Sequence, residues 1–179
     1  MVYLSILRGI NVGGKNLIKM TELKSMFTNL GFNNVSTYIQ SGNVIFESNE
    51  RSELANTIEK AIKKEFNIQV PVIIRSKEEL QKVANNNPFL RRAGVAVDKL
   101  HITFLSEAVN DVKSESINTA DYAPDDFQII NKEVYVHCPN GYGKTKLNNT
   151  FFEKILAVPC TTRNWKTTNK LLELMKAYS

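Results

Sequence analysis

The apolar positions of this chain fall into two successive runs with the same alternation of periods. Val2 to Leu7 is apolar except for Ser5, the mark of a buried strand. Leu23, Met26, Phe27 and Leu30 then recur at helical spacing, with Thr21 placed to cap the helix and Gly31 to stop it. Val35–Gln40 and Val44–Phe46 flank Ser41-Gly42-Asn43 and predict a hairpin. A second amphipathic helix is carried by Leu54, Ile58, Ala61 and Ile62, and a strand spans Val70–Arg75, with Pro71 at its start or edge. Ser76 and Glu79 have the spacing of a capping box, opening a short helix to about Ala84. The first half therefore has the order βαββαβα.

Asn85-Asn86-Asn87-Pro88 breaks the pattern, and the small-residue stretch from there to Lys99 has the character of a connection. After it, Leu100, Ile102 and Phe104 alternate with His101 and Thr103 as a strand, and Val109, Val112 and Ile117 predict a weak helix. Phe127–Ile130 and Glu133–Cys138 pair about Asn131-Lys132. Thr150 with Glu153 predicts a capping box before Phe152 and Leu156, Pro159–Arg163 a short strand, and Leu171, Leu172 and Met175 a last helix. The order repeats. The expectation is an α+β protein of two tandem ferredoxin-like (split βαβ) subdomains with mainly antiparallel sheets, residues 1–86 and 100–179, joined by residues 87–99.

That topology makes two further predictions. The loop after the first strand, Arg8–Lys15, should lie beside the hairpin turn at Gln40–Asn43, and the loop Gly141–Lys146 beside Thr161–Trp165. The two loops also share a Gly-Lys step followed six residues later by a Thr, at Lys15/Thr21 and Lys144/Thr150, a short echo in favour of duplication.

Charge changes the picture more than overall composition does. The chain has 179 residues, 42% apolar and 23% charged, with a formal net charge of +5, which invites polyanionic partners only modestly. The distribution is uneven: Lys144, Lys146, Lys154, Arg163, Lys166, Lys170 and Lys176 face only Glu153 and Glu173 in their stretch. Glu107 to Asp126, by contrast, carries six acids and one Lys. No apolar run approaches the ~20 residues of a membrane span, and the N-terminus lacks the pattern of a signal peptide, so a cytoplasmic location with no membrane partner is expected. Cys138 and Cys160 form no CxxC pair and are expected to be small buried apolar residues.

The segments RGINVGGKN (8–16), TYIQSGNVIF (37–46), NPF (87–89), GYGKTKL (141–147) and TTRNWKTTNKL (161–171), in this order, resemble the bacterial domain-of-unknown-function family 1697 over essentially the whole chain. The resemblance implies two similar α+β subdomains. It implies no activity, because that family has no established biochemical function.

The chemistry concentrates in the glycine-rich loops. Gly9 to Lys15 satisfies G-x-x-x-x-G-K, but Asn16 stands where a P-loop needs Ser or Thr, and the helix starts only near Thr21. In the second loop Cys138 replaces the first Gly. A metal-free anion site remains, with Arg8, Asn11, Gly13, Gly14 and Lys15, flanked by Ser41 and Asn43, in the first half, and Gly141, Gly143, Lys144 and Thr145 in the second. The alternative is that the glycines only turn the chain. Arg163, Asn164 and Trp165 add either a phosphate and stacking pair or a cap, with Asn164 capping the last helix, Trp165 packing and Arg163 paired with an acid. His101 and His137 lie opposite apolar strand positions as surface residues, and no catalytic set or metal-ligand spacing stands out.

The leading expectation is a non-catalytic module that binds phosphate groups of a nucleic acid or nucleotide, without cofactor or metal. The alternatives are a metal-independent enzyme acting on a phosphorylated small molecule, with His101, Tyr38 or Ser41 moving protons, and a protein-interaction adaptor.

Overall fold

The structure, a computed structural model, describes residues 1–50, 52–109 and 117–178. Its elements are β1 (Val2–Leu7), α1 (Met20–Asn29), β2 (Asn33–Tyr38), β3 (Asn43–Glu47), α2 (Leu54–Phe66), β4 (Val72–Ser76), α3 (Lys77–Asn85), β5 (Leu100–Leu105), β6 (Asp126–Ile130), β7 (Glu133–His137), α4 (Asn149–Leu156), β8 (Cys160–Asn164) and α5 (Trp165–Lys176). The strands form two four-stranded sheets, ordered β2-β3-β1-β4 and β6-β7-β5-β8, and every neighbouring pair is antiparallel. The chain divides into two compact units, Met1–Gln81 with Leu171–Ser179, and Lys82–Lys170. The α+β expectation with two antiparallel sheets holds. The helix expected about Val109, Val112 and Ile117 falls mostly outside the described residues.

In the first unit, the pairings Tyr3↔Phe46, Ser5↔Val44 and Leu7↔Val72 put these residues on one face of the sheet. Leu23, Met26 and Phe27 of α1 and Ile58 and Ile62 of α2 join Tyr3, Leu7, Val44, Phe46 and Val72 in one buried core. Each side chain so buried contributes about 1.5–3 kcal/mol relative to exposure, and Phe27, Phe32 and Phe46 also meet ring to ring, Phe32 and Phe46 at 4.5 Å. The opposite face is apolar too, with Leu4, Ile6, Ile45 and Ile73 buried, which is why β1 shows no polar alternation. Helix α1 begins at Met20 after Lys19, which makes no side-chain cap, so Thr21 lies inside the helix and is not its cap. Gly31 ends it as expected, at φ +86. The Ser76/Glu79 capping box also forms: the Ser76 amide donates to the Glu79 carboxylate at 2.8 Å and the Glu79 amide to Ser76 Oγ at 3.2 Å.

The second unit repeats the plan. Leu105, Val134, Val136 and Cys160 of its sheet pack with Phe152 and Leu156 of α4. Its helix starts differ from the expected box. Asn148 is the cap, its side-chain oxygen accepting from the Phe151 amide at 3.0 Å, and Glu153 instead accepts from the Cys160 amide at 3.2 Å, tying α4 to β8. Three cap-competent residues in a row, Asn148, Asn149 and Thr150, leave the start ambiguous in sequence, and the register of α4 against β8 decides it.

The echo of Gly-Lys loops does not mark equivalent places. The first loop follows β1, the opening strand of its sheet, whereas the second follows β7, the third strand of its own. The corresponding segments are β4–α3 and β8–α5, reading VIIRS then KEELQ, and CTTRN then WKTTN.

Candidate functional site

The residues from Arg8 to Lys19 fold back on themselves. Gly13 and Gly14 have φ of +57 and +73, the Lys15 amide donates to the Val12 carbonyl at 3.0 Å, and the Asn11 amide to the Asn16 carbonyl at 3.2 Å. Two consecutive positive φ values at the centre define a type I′ turn, so the loop is a miniature hairpin with a Gly-Gly tip. Two asparagine side chains fix its base. Asn11 donates to the carbonyls of Ile18 and Gln40, each at 2.9 Å, and accepts the Ile18 amide at 2.9 Å, while Asn16 donates to the Gly9 carbonyl at 3.0 Å. Both adopt positive φ, Asn11 at +54 and Asn16 at +49, a conformation Asn tolerates better than most residues. Asn11 is thus the post that holds the loop, with its amide group spent inside the protein.

The predicted neighbourhood of loop and hairpin turn is present. Besides the Asn11–Gln40 bond, the Leu7 amide donates to the Gly42 carbonyl at 2.9 Å. Gly42, at φ +77, is needed sterically: a Cβ there would sit 2.8 Å from Leu7 Cβ and from Ile10 Cδ1. Asn43 is buried, and its amide donates to the Tyr38 carbonyl at 3.1 Å and to Ser41 Oγ at 2.9 Å. These bonds commit Ser41 and Asn43 to holding the turn.

Presented to solvent at this end are the Gly13-Gly14 tip and the side chain of Lys15, with Arg8 half-buried at the end of β1. The Gly13 and Gly14 amides and the Lys15 ammonium make no hydrogen bond or ion pair among the described residues. Three aliphatic side chains stand exposed in the same segments: Val12 at 63%, Leu17 at 71% and Ile39 at 49%.

The second glycine-rich loop has another character. The Gly141 amide donates to the Cys138 carbonyl at 2.9 Å, Gly141 takes φ +92, and Tyr142–Lys144 makes one 3₁₀ turn. The Thr145 hydroxyl accepts the Leu147 amide at 3.0 Å. As the topology predicts, this loop reaches the end of β5 and β8: the Cys138 amide donates to the Lys99 carbonyl at 3.0 Å, and Tyr142 stacks on His101 at 4.6 Å, His101 itself pairing with Asn164 across the sheet. Lys144, however, lines a cavity with Asp121 and Asp125. Carboxylates lining the same cavity repel an anion placed in it, which disfavours a bare phosphate there.

Of the final trio, Asn164 is a cap, accepting the Thr167 amide at 2.7 Å, while Trp165 is only 9% exposed and Arg163 8%. Burial removes both from a solvent-facing stacking or phosphate site. Burial also lowers the Arg163 pKa to about 10, and its guanidinium donates to Thr161 Oγ1 at 3.0 Å and to the Thr162 carbonyl at 2.9 Å. An arginine on an edge strand ordinarily faces water, so sequence pattern alone does not reveal this burial.

His101 is another correction. It lies on the helix-covered face with Leu105 and Val136, half-buried, its pKa lowered by burial against an opposing backbone hydrogen bond with Lys99. His137 rests 5.8 Å from the Phe89 ring. Cys138 and Cys160 are buried, and neither is in a disulfide among the described residues. Among the described residues no group of three His, Cys, Asp or Glu is arranged to hold a metal ion, and no helix is long and apolar enough to cross a membrane. What sequence reasoning missed is that Lys144 and Lys146 line one cavity with Asp121 and Asp125. The segregation of charge along the chain was the signal that could have found it.

A family model described as a protein of unknown function (DUF1697) matches residues 1–135. A search of curated proteins finds no match. Among solved structures, the conserved bacterial protein SP0830 from Streptococcus pneumoniae is similar at 26% identity and a TM-score of 0.74, over 97% of this chain and 98% of that one.

Proposed function

This chain belongs to the DUF1697 family, and from its own geometry we propose that it is a cytoplasmic, non-catalytic binding module whose first unit holds a phosphate group of a nucleic acid or nucleotide. The observation that carries the reading is the tip of the Arg8–Lys19 loop. Two adjacent amides, of Gly13 and Gly14, and the Lys15 ammonium all lack partners among the described residues. Preorganised amides beside a cation favour an anion, and the Asn11 and Asn16 hydrogen bonds mean little ordering is left to be done on binding. Arg8, at the base of the same loop, adds positive charge.

The test is binding of short single-stranded and duplex oligonucleotides across a salt series, with Lys15→Ala and Lys144→Ala beside wild type. Affinity should fall with salt by a slope of about 0.9 per phosphate contacted on a duplex, and Lys15→Ala should reduce that slope by about one contact. Lys144→Ala should leave it unchanged. Mononucleotides are tested by thermal shift. No binding of either class at low salt, or binding indifferent to salt and to Lys15, sinks the proposal. Exposed Val12, Leu17 and Ile39 favour a second reading, a protein partner docking on this end, which salt-insensitive capture of a protein would support.

A further inference from the structure

The acid-rich and lysine-rich stretches, well separated in sequence, meet within the second unit. Asp121 and Asp125, with Tyr122, and Lys144 and Lys146, with Asn140, line one cavity of about 340 Å³. That volume suits a small molecule. None of the four charged groups forms an ion pair among the described residues, so opposite charges line the space without neutralising one another directly.

Both walls are set by bonds of their own. On one, the Asn118 side chain accepts the Ala120 amide at 3.2 Å and donates to Asp121 at 3.3 Å, and the Tyr122 ring lies edge-on to Phe151 at 5.0 Å, anchored to the core. On the other, the Lys144 amide donates to the Gly141 carbonyl at 3.1 Å and Thr145 holds Leu147. A simple anion placed here gains from the lysines and loses to the aspartates, and a simple cation does the reverse. A molecule carrying both charges gains from both.

We infer that this cavity binds a small zwitterion of the amino-acid class, its ammonium directed to Asp121 and Asp125, its carboxylate to Lys144 and Lys146, and its side chain against Tyr122. The inference concerns the second unit and stands apart from the phosphate reading of the first.

The experiment is isothermal titration calorimetry of the full chain with each proteinogenic L-amino acid, followed by the N-acetyl and methyl-ester forms of the tightest. At least one amino acid should bind, and removing either of its charges, or substituting Asp125→Asn or Lys144→Gln, should weaken binding roughly tenfold or more, as loss of a charge-assisted hydrogen bond does. Lys15→Ala should bind as wild type. Circular dichroism checks that each variant keeps its fold. Failure of every amino acid to bind at millimolar concentration, or equal binding of the blocked forms, overturns the inference.

Discussion

Arg75 and Arg163 occupy the same position in two different sheets. Arg75 lies opposite Leu4, the third residue of β1, and Arg163 opposite Ile102, the third residue of β5. Each guanidinium also donates to the carbonyl of the residue before it, Ile74 at 2.8 Å and Thr162 at 2.9 Å, and each arginine immediately precedes a residue whose side chain caps the following helix. Arg75 is 1% exposed and Arg163 8%. A charge is costly to bury, so its presence at both equivalent places marks a structural requirement of the repeated plan.

The first prediction concerns that burial. Arg163→Ala should lower stability by about 3 kcal/mol, and Arg163→Met by clearly less, because both remove the desolvated charge but only Met keeps the packed volume. The sign with pH follows from the shift. Burial lowers the pKa to about 10 on folding, well below its value in the unfolded chain, so above pH 10 the unfolded chain binds the extra proton and wild-type stability from this group rises as pH climbs above about 10. Arg163→Met should lack that rise in urea unfolding compared at pH 9 and pH 11. An equal loss for Ala and Met would show that side-chain volume plays no part and that the lost guanidinium hydrogen bonds carry the whole effect.

Gly42 and Gly14 both have positive φ, but only Gly42 has neighbours where a side chain would go. Gly14→Ala should cost about 1–2 kcal/mol for the left-handed backbone. Gly42→Ala bears that cost plus the overlap with Leu7 and Ile10, and should lose more, about 3 kcal/mol or beyond. Urea midpoints of the two variants decide the order.

Helix α4 has three candidate caps in a row, and the structure chooses Asn148. Asn148→Ala should lose about 1 kcal/mol, whereas Thr150→Ala should be nearly neutral. Glu153→Ala should be destabilising by a route unrelated to capping, through its bond to the Cys160 amide. A large loss for Thr150→Ala would restore the capping box as the true start.

Burial pushes the Cys138 thiol up to about 11, opposed by the Thr145 hydroxyl and assisted by the Asp125 carboxylate. Iodoacetamide should therefore modify it slowly in the native protein at pH 8 and quickly once urea unfolds the chain. With the folded pKa above the ordinary 9.0, the group's contribution to stability is full below pH 9 and is lost as pH rises toward 11. Rapid native-state alkylation at pH 8, located to Cys138 by mass spectrometry, would contradict this.

Periodicity is enough for the element order among the described residues, the core stripes of α1 and α2, and the end at which the first loop meets the hairpin, because local pattern and sheet topology decide those. The Ser76/Glu79 box was legible for the same reason: it closes within four residues. The start of α4 was not, since three neighbouring residues could each cap it and a long-range bond to β8 selects one. Arg163 and Trp165 belong to the same class of failure. Their burial depends on what packs over an edge strand, and an Arg-Asn-Trp string looks like a ligand platform until its exposure is known. The Gly-Lys echo misled because it matched short strings in unlike topological places, while the true correspondence, Arg75 with Arg163, shares a register and little sequence.

The division of the chain bears on the order in which the protein can be made. Leu171–Ser179 counts with the first unit, where the Tyr178 hydroxyl meets Ser36 Oγ at 2.5 Å and the Tyr178 carbonyl accepts from Lys77 at 3.3 Å. On a ribosome those residues emerge after every residue of the second unit. All four strands of the amino-terminal sheet are made early, but the Ser36 side of β2 stays without its Tyr178 contact until those late residues emerge, so a stalled chain would leave that side of β2 uncovered.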